Sequence, residues 1–293
     1  MDKLDRLGWA AGISFTAYGL RVGIRVNRLQ LWRRLEIILP PGARPEPGKA
    51  VDLLYSFLAA DAPRRPGLRP FHLLYRGASR LAREPEIETV WTRLKEDLPL
   101  RIAEFAPRHV FVHAGVVGWK GRAILVPGRS YTGKTTLVAE LIKAGAAYYS
   151  DEYAVLDPSG YVHPFPKPLS IRGANPMAAT EPTAEELGAK SASRPLPVGL
   201  VLVTEYRKGA SWDPCPQSPG LGVLALLANC VAARRQPRRV LSVLRKAVAR
   251  AEVLKGLRGE AREVVDTVLR RSPVTCPWLS ILQLLHPRLP VRL

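Results

Sequence analysis

The chain has 293 residues, 47% of them hydrophobic and 24% charged, and its 44 basic against 25 acidic side chains leave a net charge of +19. That length holds one large domain or two moderate ones with proper cores, and the apolar content excludes a largely disordered chain. The charge suits an anionic partner, whether nucleic acid, phosphate ligands, an acidic peptide or an anionic membrane, but Arg far outnumbers Lys and is scattered, as an Arg-biased composition would produce.

In chain order, Met1 to Asp5 carry acids where a secretory leader would be basic and then apolar, so a cytoplasmic protein is expected. Leu20, Val22, Ile24 and Val26 alternate with Arg21, Gly23 and Arg25, which predicts a half-buried strand. Pro-rich breaks over residues 40–49 and 61–70 flank a predicted helix, Ala50–Ala60. A second helix is predicted over Glu84–Leu98, with Ile87, Trp91 and Leu94 on one face. Pro99 and Pro107 then bracket a boundary, leaving residues 1–105 as a smaller α+β region for a substrate or partner and 106–293 as the main domain.

Strand-like runs follow at Val110–Val112, Val116–Trp119 and Ala123–Val126, the last two joined by a Lys120-Gly121 turn. Ala146–Ser150 reads as a strand, and Tyr153–Leu156 with Tyr161–His163 reads as a hairpin through Asp157-Pro158-Ser159-Gly160. Residues 173–197 are rich in Ala, Pro, Ser, Thr and Glu, the composition of a disordered stretch or a mobile lid, with a short helix at Thr183–Leu187. Val198–Thr204 is another predicted strand. From Gly220 onward the pattern is mostly helical, broken at Pro237, Gly256/Gly259 and Pro273. The longest apolar stretch, Leu221–Ala233, falls short of the about 20 residues that span a bilayer. Cys215, Cys230 and Cys276 are odd in number and widely spaced, which indicates neither a disulfide framework nor a zinc knuckle.

The strongest signal is a phosphate loop. The apolar run Ala123-Ile124-Leu125-Val126 precedes Gly128-Arg129-Ser130-Tyr131-Thr132-Gly133-Lys134-Thr135, the full G-x-x-x-x-G-K-[ST] pattern of a Walker A motif, and Thr136–Ala144 reads as a helix stopped by Gly145. Glycines at 128 and 133 let successive N–H groups turn inward onto phosphate oxygens, and the helix start adds partial positive charge. Lys134 can then reach the β- and γ-phosphates of ATP, Thr135 can offer its hydroxyl to Mg2+, and Thr136 opens the helix behind them. Sixteen residues after Thr135, Asp151 and Glu152 stand at a strand tip, where carboxylates hold a metal ion or accept a proton.

These residues carry a resemblance. Val112-His113-Ala114-Gly115-Val116, the Lys120-Gly121 turn, the phosphate loop, Lys143-Ala144-Gly145, Ser150-Asp151-Glu152 and Ser170-Ile171-Arg172-Gly173 resemble the catalytic core of HPr kinase/phosphorylase over about residues 110–173. The resemblance implies an α/β fold: a P-loop kinase domain of the HPr kinase and PEP-carboxykinase-like type, with a mixed central sheet and flanking helices. It implies that Asp151 is the general base on an acceptor serine, that Glu152 helps hold Mg2+, and that His113 and Arg172 line the phosphate site. Basic chemistry agrees, since a serine hydroxyl needs a carboxylate near the γ-phosphorus and cations must balance the spreading charge.

The sequence also departs from that family. Glu152 replaces its second Asp, Ser170 replaces the Glu before Ile-Arg-Gly, and the tail holds no counterpart to its carboxy-terminal signature. The first third does not read as the family's own amino-terminal domain, so the implied acceptor is a protein or peptide serine other than HPr, such as that of a precursor peptide. Homo-oligomers have precedent in the family.

Arg234, Arg235, Arg238, Arg239, Arg245, Lys246, Arg250, Lys255 and Arg258 interleave with Val240, Leu241, Leu244 and Val248 at helical spacing, giving an apolar face and a basic one. The basic face is either plainly solvated or a dock for an acidic partner; with no aromatics in the stretch for base stacking, nucleic acid is disfavoured. The leading expectation is therefore an ATP- and Mg2+-dependent serine kinase. The alternative is a regulatory nucleotide-binding ATPase that uses the basic tail. A carboxykinase would need further Mn2+-ligating Lys, His and Asp, and no such cluster is evident among the five histidines.

Overall fold

The computed structural model describes residues 2–48, 50–61, 69–128, 132–167, 169, 186, 188 and 192–271. Outside these residues fall Arg129, Ser130 and Tyr131 of the expected phosphate loop, the segment 170–173 with Arg172, most of 173–197 with the helix expected at Thr183–Leu187, Pro273 and Cys276. The chain forms two compact units, residues 1–109 and 110–293.

The first unit opens with a short helix α1 (Asp2–Asp5) and a hairpin of β1 (Ala11–Ala17) and β2 (Leu20–Val26). Next come α2 (Trp32–Ile37), the two-residue β3 (Arg44–Pro45), β4 (Leu53–Leu58), β5 (His72–Arg76), β6 (Ser79–Glu84) and the long α3 (Ile87–Phe105). The strands form one sheet in the order β3-β1-β2-β4-β5-β6, antiparallel apart from the parallel β2–β4 pair. β2 has the bounds its alternation predicts.

The helix expected over Ala50–Ala60 is instead strand β4. Its segment pairs on both edges, with β2 and β5, which buries Tyr55 and Phe57 on one side of the sheet. Sheet pairing thus overrides the local helical reading. Helix α3 covers that side: Phe57 meets Trp91 edge-to-face at 4.8 Å, and the Tyr55 hydroxyl donates to Asp97 at 2.6 Å. Pro99, expected as a break, lies inside α3, which runs on to Phe105.

The second unit holds β7 (Val110–Trp119), β8 (Arg122–Pro127), α4 (Lys134–Lys143), β9 (Ala147–Ser150), β10 (Tyr153–Leu156), β11 (Tyr161–His163) and β12 (Leu196–Tyr206). It continues with the two-residue β13 (Cys215–Pro216), α5 (Pro219–Leu227), α6 (Pro237–Val248), β14 (Glu252–Arg258) and α7 (Ala261–Arg270). The sheet order is β11-β10-β7-β8-β12-β14-β13, with β9 also on β7. β8, β12 and β14 are parallel, while β7 is antiparallel to β8, β9 and β10, so the sheet is mixed. Helices α4 and α7 pack on one face through Leu137, Leu141, Val264 and Val268. On the other, α5 and α6 pack through Leu226, Val240, Leu244 and Val248.

The two predicted strands at 110–112 and 116–119 are one strand, β7, because Ala114 and Gly115 continue the pairing with β8. The hairpin β7–β8 turns through Lys120 and Gly121, both at positive φ (45° and 77°), a primed turn that matches the twist of the strands. The helical tail is also corrected: 252–258 forms the parallel strand β14, whose Val253 and Leu254 are buried. Lys255 and Arg258 therefore leave the basic helix, which ends at Val248. Among the described residues, no helix is long and apolar enough to cross a membrane.

Gly160 closes the turn of the β10–β11 hairpin at φ 88°, and a Cβ there would lie 2.6 Å from the Ala247 backbone nitrogen. Backbone cannot give way as a flexible side chain can. Gly160→Ala is expected to cost at least about 2 kcal/mol of stability, from strain and overlap together. Chemical denaturation measures it; an unchanged midpoint would mean that the turn and α6 are not in this contact.

Candidate active site

The carboxyl ends of β8 and β9, the start of β10 and the start of α4 meet beside the middle of β7, around Gly115. A Cβ on Gly115 would lie 2.5 Å from Val138 Cγ2 and 3.9 Å from Lys134 Cβ, so α4 reaches β7 only because that residue has no side chain. The loop after β8 starts beside His113, whose carbonyl accepts the Gly128 N–H at 3.3 Å. It ends at Gly133, in the left-handed conformation at φ 80°, from which α4 begins with no side-chain cap. A helix start of this kind presents N–H groups and partial positive charge to an anion.

Lys134 is 6% exposed, and its stem lies over Gly128, where a Cβ would come 3.6 Å from Lys134 Cδ and 2.9 Å from Thr132 Oγ1. Burial lowers the Lys134 pKa and Asp151 opposes the shift. The Thr135 hydroxyl donates to Asp151 Oδ2 in a long bond of 3.4 Å, which brings the predicted hydroxyl and carboxylate together. Thr136 is exposed on the outer face of the first turn.

The acidic turn after β9 is fastened by Ser150. Its buried Oγ accepts the backbone N–H of Glu152 at 3.1 Å and of Tyr153 at 3.0 Å. The Glu152 carbonyl accepts the Ala114 N–H at 3.2 Å, tying the turn to β7. The two carboxylates part company: Asp151 faces Thr135, and Glu152 forms an ion pair with Lys167. Tyr148 stands beside Asp151 with its hydroxyl 3.4 Å from Oδ1 while donating to the Lys167 carbonyl at 2.6 Å.

His113 lies opposite Tyr153 in the β7–β10 pair, its ring edge-on to the tyrosine at 5.7 Å. Burial lowers its pKa, nearby Lys134 lowers it further, and Glu152 opposes. The ring is therefore favoured neutral, and its buried Nδ1 has no hydrogen-bond partner among the described residues. An orphaned polar atom beside a buried lysine fits a site completed by a ligand.

Gly128, Thr132, Gly133, Lys134, Thr135, Asp151, Glu152 and His113 are thus gathered at one end of the sheet. Sequence reasoning missed Ser150 as the anchor of the acidic turn, Lys167 as the partner of Glu152, and Arg258. Arg258 ends β14 and donates from Nη2 to the Gly133 carbonyl at 2.7 Å. The clue was the run Val253-Leu254-Lys255-Gly256-Leu257-Arg258, which reads as a strand once its glycine is taken as a close approach: a Cβ on Gly256 would lie 3.1 Å from Pro214 Cα. Among the described residues no group of three or more His, Cys, Asp and Glu gathers as a metal cage. Thr135 and Asp151 bring two hard oxygens together at the start of α4, while Glu152 is turned to Lys167.

No protein-family model matches the chain, and no curated protein matches it. Among solved structures it is similar to the Hpr(Ser) kinase/phosphatase from Coxiella burnetii, with 14% identity and a TM-score of 0.31, covering 59% of this chain and 98% of that one. The likeness is one of fold, and distant.

Ser150→Ala is expected to leave two backbone N–H groups without their acceptor and to cost about 1–3 kcal/mol. Amide exchange at Glu152 and Tyr153 should accelerate while that at Val116 and Val117 stays slow. Unchanged exchange at both amides would show that the hydroxyl does not hold the acidic turn.

Proposed function

We propose that the chain is an ATP- and Mg2+-dependent kinase that transfers the γ-phosphoryl group to a serine hydroxyl of a protein or peptide. One observation carries the reading: an uncapped helix start behind a glycine loop, a buried lysine, a threonine hydroxyl and a carboxylate converge at one end of the sheet. That combination suits the phosphoryl group of a polyphosphate better than any uncharged ligand.

Loop N–H groups and the start of α4 bind the phosphates, and Lys134 sets its charge against the β- and γ-oxygens. Thr135, Glu152 and Asp151 would hold Mg2+. That ion would supply charge neutralisation to the phosphates. Asp151 accepts the proton of the acceptor serine as that oxygen attacks the γ-phosphorus and the bond to the β-phosphate bridging oxygen breaks, releasing ADP. His113, neutral and unpartnered at Nδ1, bonds a phosphate oxygen or the incoming hydroxyl. Arg172, outside the described residues, retains its assignment to the phosphate site by resemblance alone.

The exposed cations of α6 and its flanks, Arg234, Arg238, Arg245 and Arg250, suit an acidic segment of the acceptor, because residues 214–251 contain no Asp or Glu.

The test is incubation with Mg2+ and γ-labelled ATP in the presence of serine-containing peptide pools, acidic ones included. Label should appear on a seryl side chain. Asp151→Asn should bind ATP nearly as the parent does yet lose transfer by about 10²–10⁴-fold, the usual worth of a general base. Lys134→Ala should lose binding and transfer together. Tight nucleotide binding with no labelled acceptor in any pool would sink the kinase reading in favour of a nucleotide-gated switch.

A further inference from the structure

Among the described residues Arg258 is a buried cation with no ion-pair partner. It lies at the carboxyl end of the parallel strands β8, β12 and β14, the end that bears the phosphate loop. Only 2% of it is exposed. Nη1 donates to the Gly259 carbonyl at 3.1 Å and Nη2 to the Gly133 carbonyl at 2.7 Å, while Nε has no acceptor among the described residues. The guanidinium stands 5.7 Å from the Tyr206 ring centre, and the nearby Glu260 accepts the Tyr206 hydroxyl at 2.9 Å. Burial lowers the Arg258 pKa, with Glu260 and Tyr206 opposing. Among the described residues no carboxylate forms an ion pair with it.

A guanidinium buried on two carbonyls is destabilising unless something negative completes it. The carbonyl it grips is the informative part. Gly133 O also accepts the Leu137 N–H at 3.1 Å, the first turn of α4. A Cβ at residue 133 would lie 2.4 Å from Nη2, so the contact requires glycine there. Arg258 therefore holds the carbonyl of the residue at which the phosphate loop turns left-handed into its helix. With that carbonyl held back, the N–H groups beyond it face the anion.

We propose that Arg258 is a positioning residue of the nucleotide site: it fixes Gly133, and the phosphates of a bound nucleoside triphosphate complete a charge that no ion pair neutralises among the described residues. This rests on the nucleotide-binding reading above and extends it to a residue 125 positions beyond Gly133. An arginine placed for the fold would stabilise the empty protein. One placed for the ligand leaves the empty protein no better off, and this difference separates the two roles.

The experiment compares Arg258→Met, of similar reach but neutral, with Arg258→Lys and Lys134→Ala, reading Mg·ATP affinity by titration calorimetry and melting temperature with and without nucleotide. Arg258→Met should melt at or above the parent without nucleotide, bind Mg·ATP at least about tenfold more weakly, as for a lost charge-assisted bond, and show a smaller ATP-induced shift. Arg258→Lys should recover part of the affinity. An Arg258→Met protein that fails to fold, melts well below the parent when empty, or binds Mg·ATP within twofold of it overturns the proposal. If the parent binds Mg·ATP, Lys134→Ala does not, and Arg258→Met binds normally, only this inference falls. If the parent binds no nucleotide, both readings fall.

Discussion

The contact between α4 and β7 at Gly115 sets the geometry of the site. With 2.5 Å between a would-be Cβ and Val138, no other residue lets the helix sit this deep. Because it does, Lys134 begins its side chain against β7 instead of in solvent and Thr135 comes within reach of Asp151. Gly118 shows the same economy further along β7, where a Cβ would meet Tyr149 at 2.6 Å, so β9 and its acidic turn are drawn in alongside. The two notches bring α4 and β9 against the same strand.

Much of this could be read in the sequence where the signal is local. The strand β8 and the helix α4 on either side of the glycine loop announce themselves in consecutive residues, as do the Lys120-Gly121 turn and the Asp157–Gly160 hairpin. Tyr55 and Phe57 were misread because nothing in residues 50–60 reveals that β2 and β5 wait on either side. Strand β14 was lost for a similar reason: it is made by burial between β12 and β13, while its own pattern is interrupted by Gly256. Arg258 could not be singled out among so many arginines, since its distinction is to be buried without a carboxylate. The opposed facing of Asp151 and Glu152 depends on Lys167, fifteen residues downstream, and no local pattern encodes it.

The net charge of +19 takes on structure when divided by place. In the first unit several arginines are matched: Arg21 with Asp52, Arg34 with Glu88, and Arg76 with the half-buried Asp97, which accepts the Tyr55 hydroxyl as well. The exposed pairs among them add little stability. In the second unit Lys134 and Arg258 are buried beside the phosphate loop, and the stretch 214–251 is basic without relief. Part of the excess positive charge therefore sits in that unbroken basic stretch and beside the start of α4.

The most direct measurement is a crystal structure of the protein with Mg2+ and a non-hydrolysable ATP analogue. The account predicts the triphosphate within the loop from Gly128 to Thr135, Lys134 on its β- and γ-oxygens, the ion at Thr135, and Asp151 facing the γ-phosphorus. A nucleotide bound elsewhere, or one in the loop with Asp151 turned away from the γ-phosphate, would contradict it.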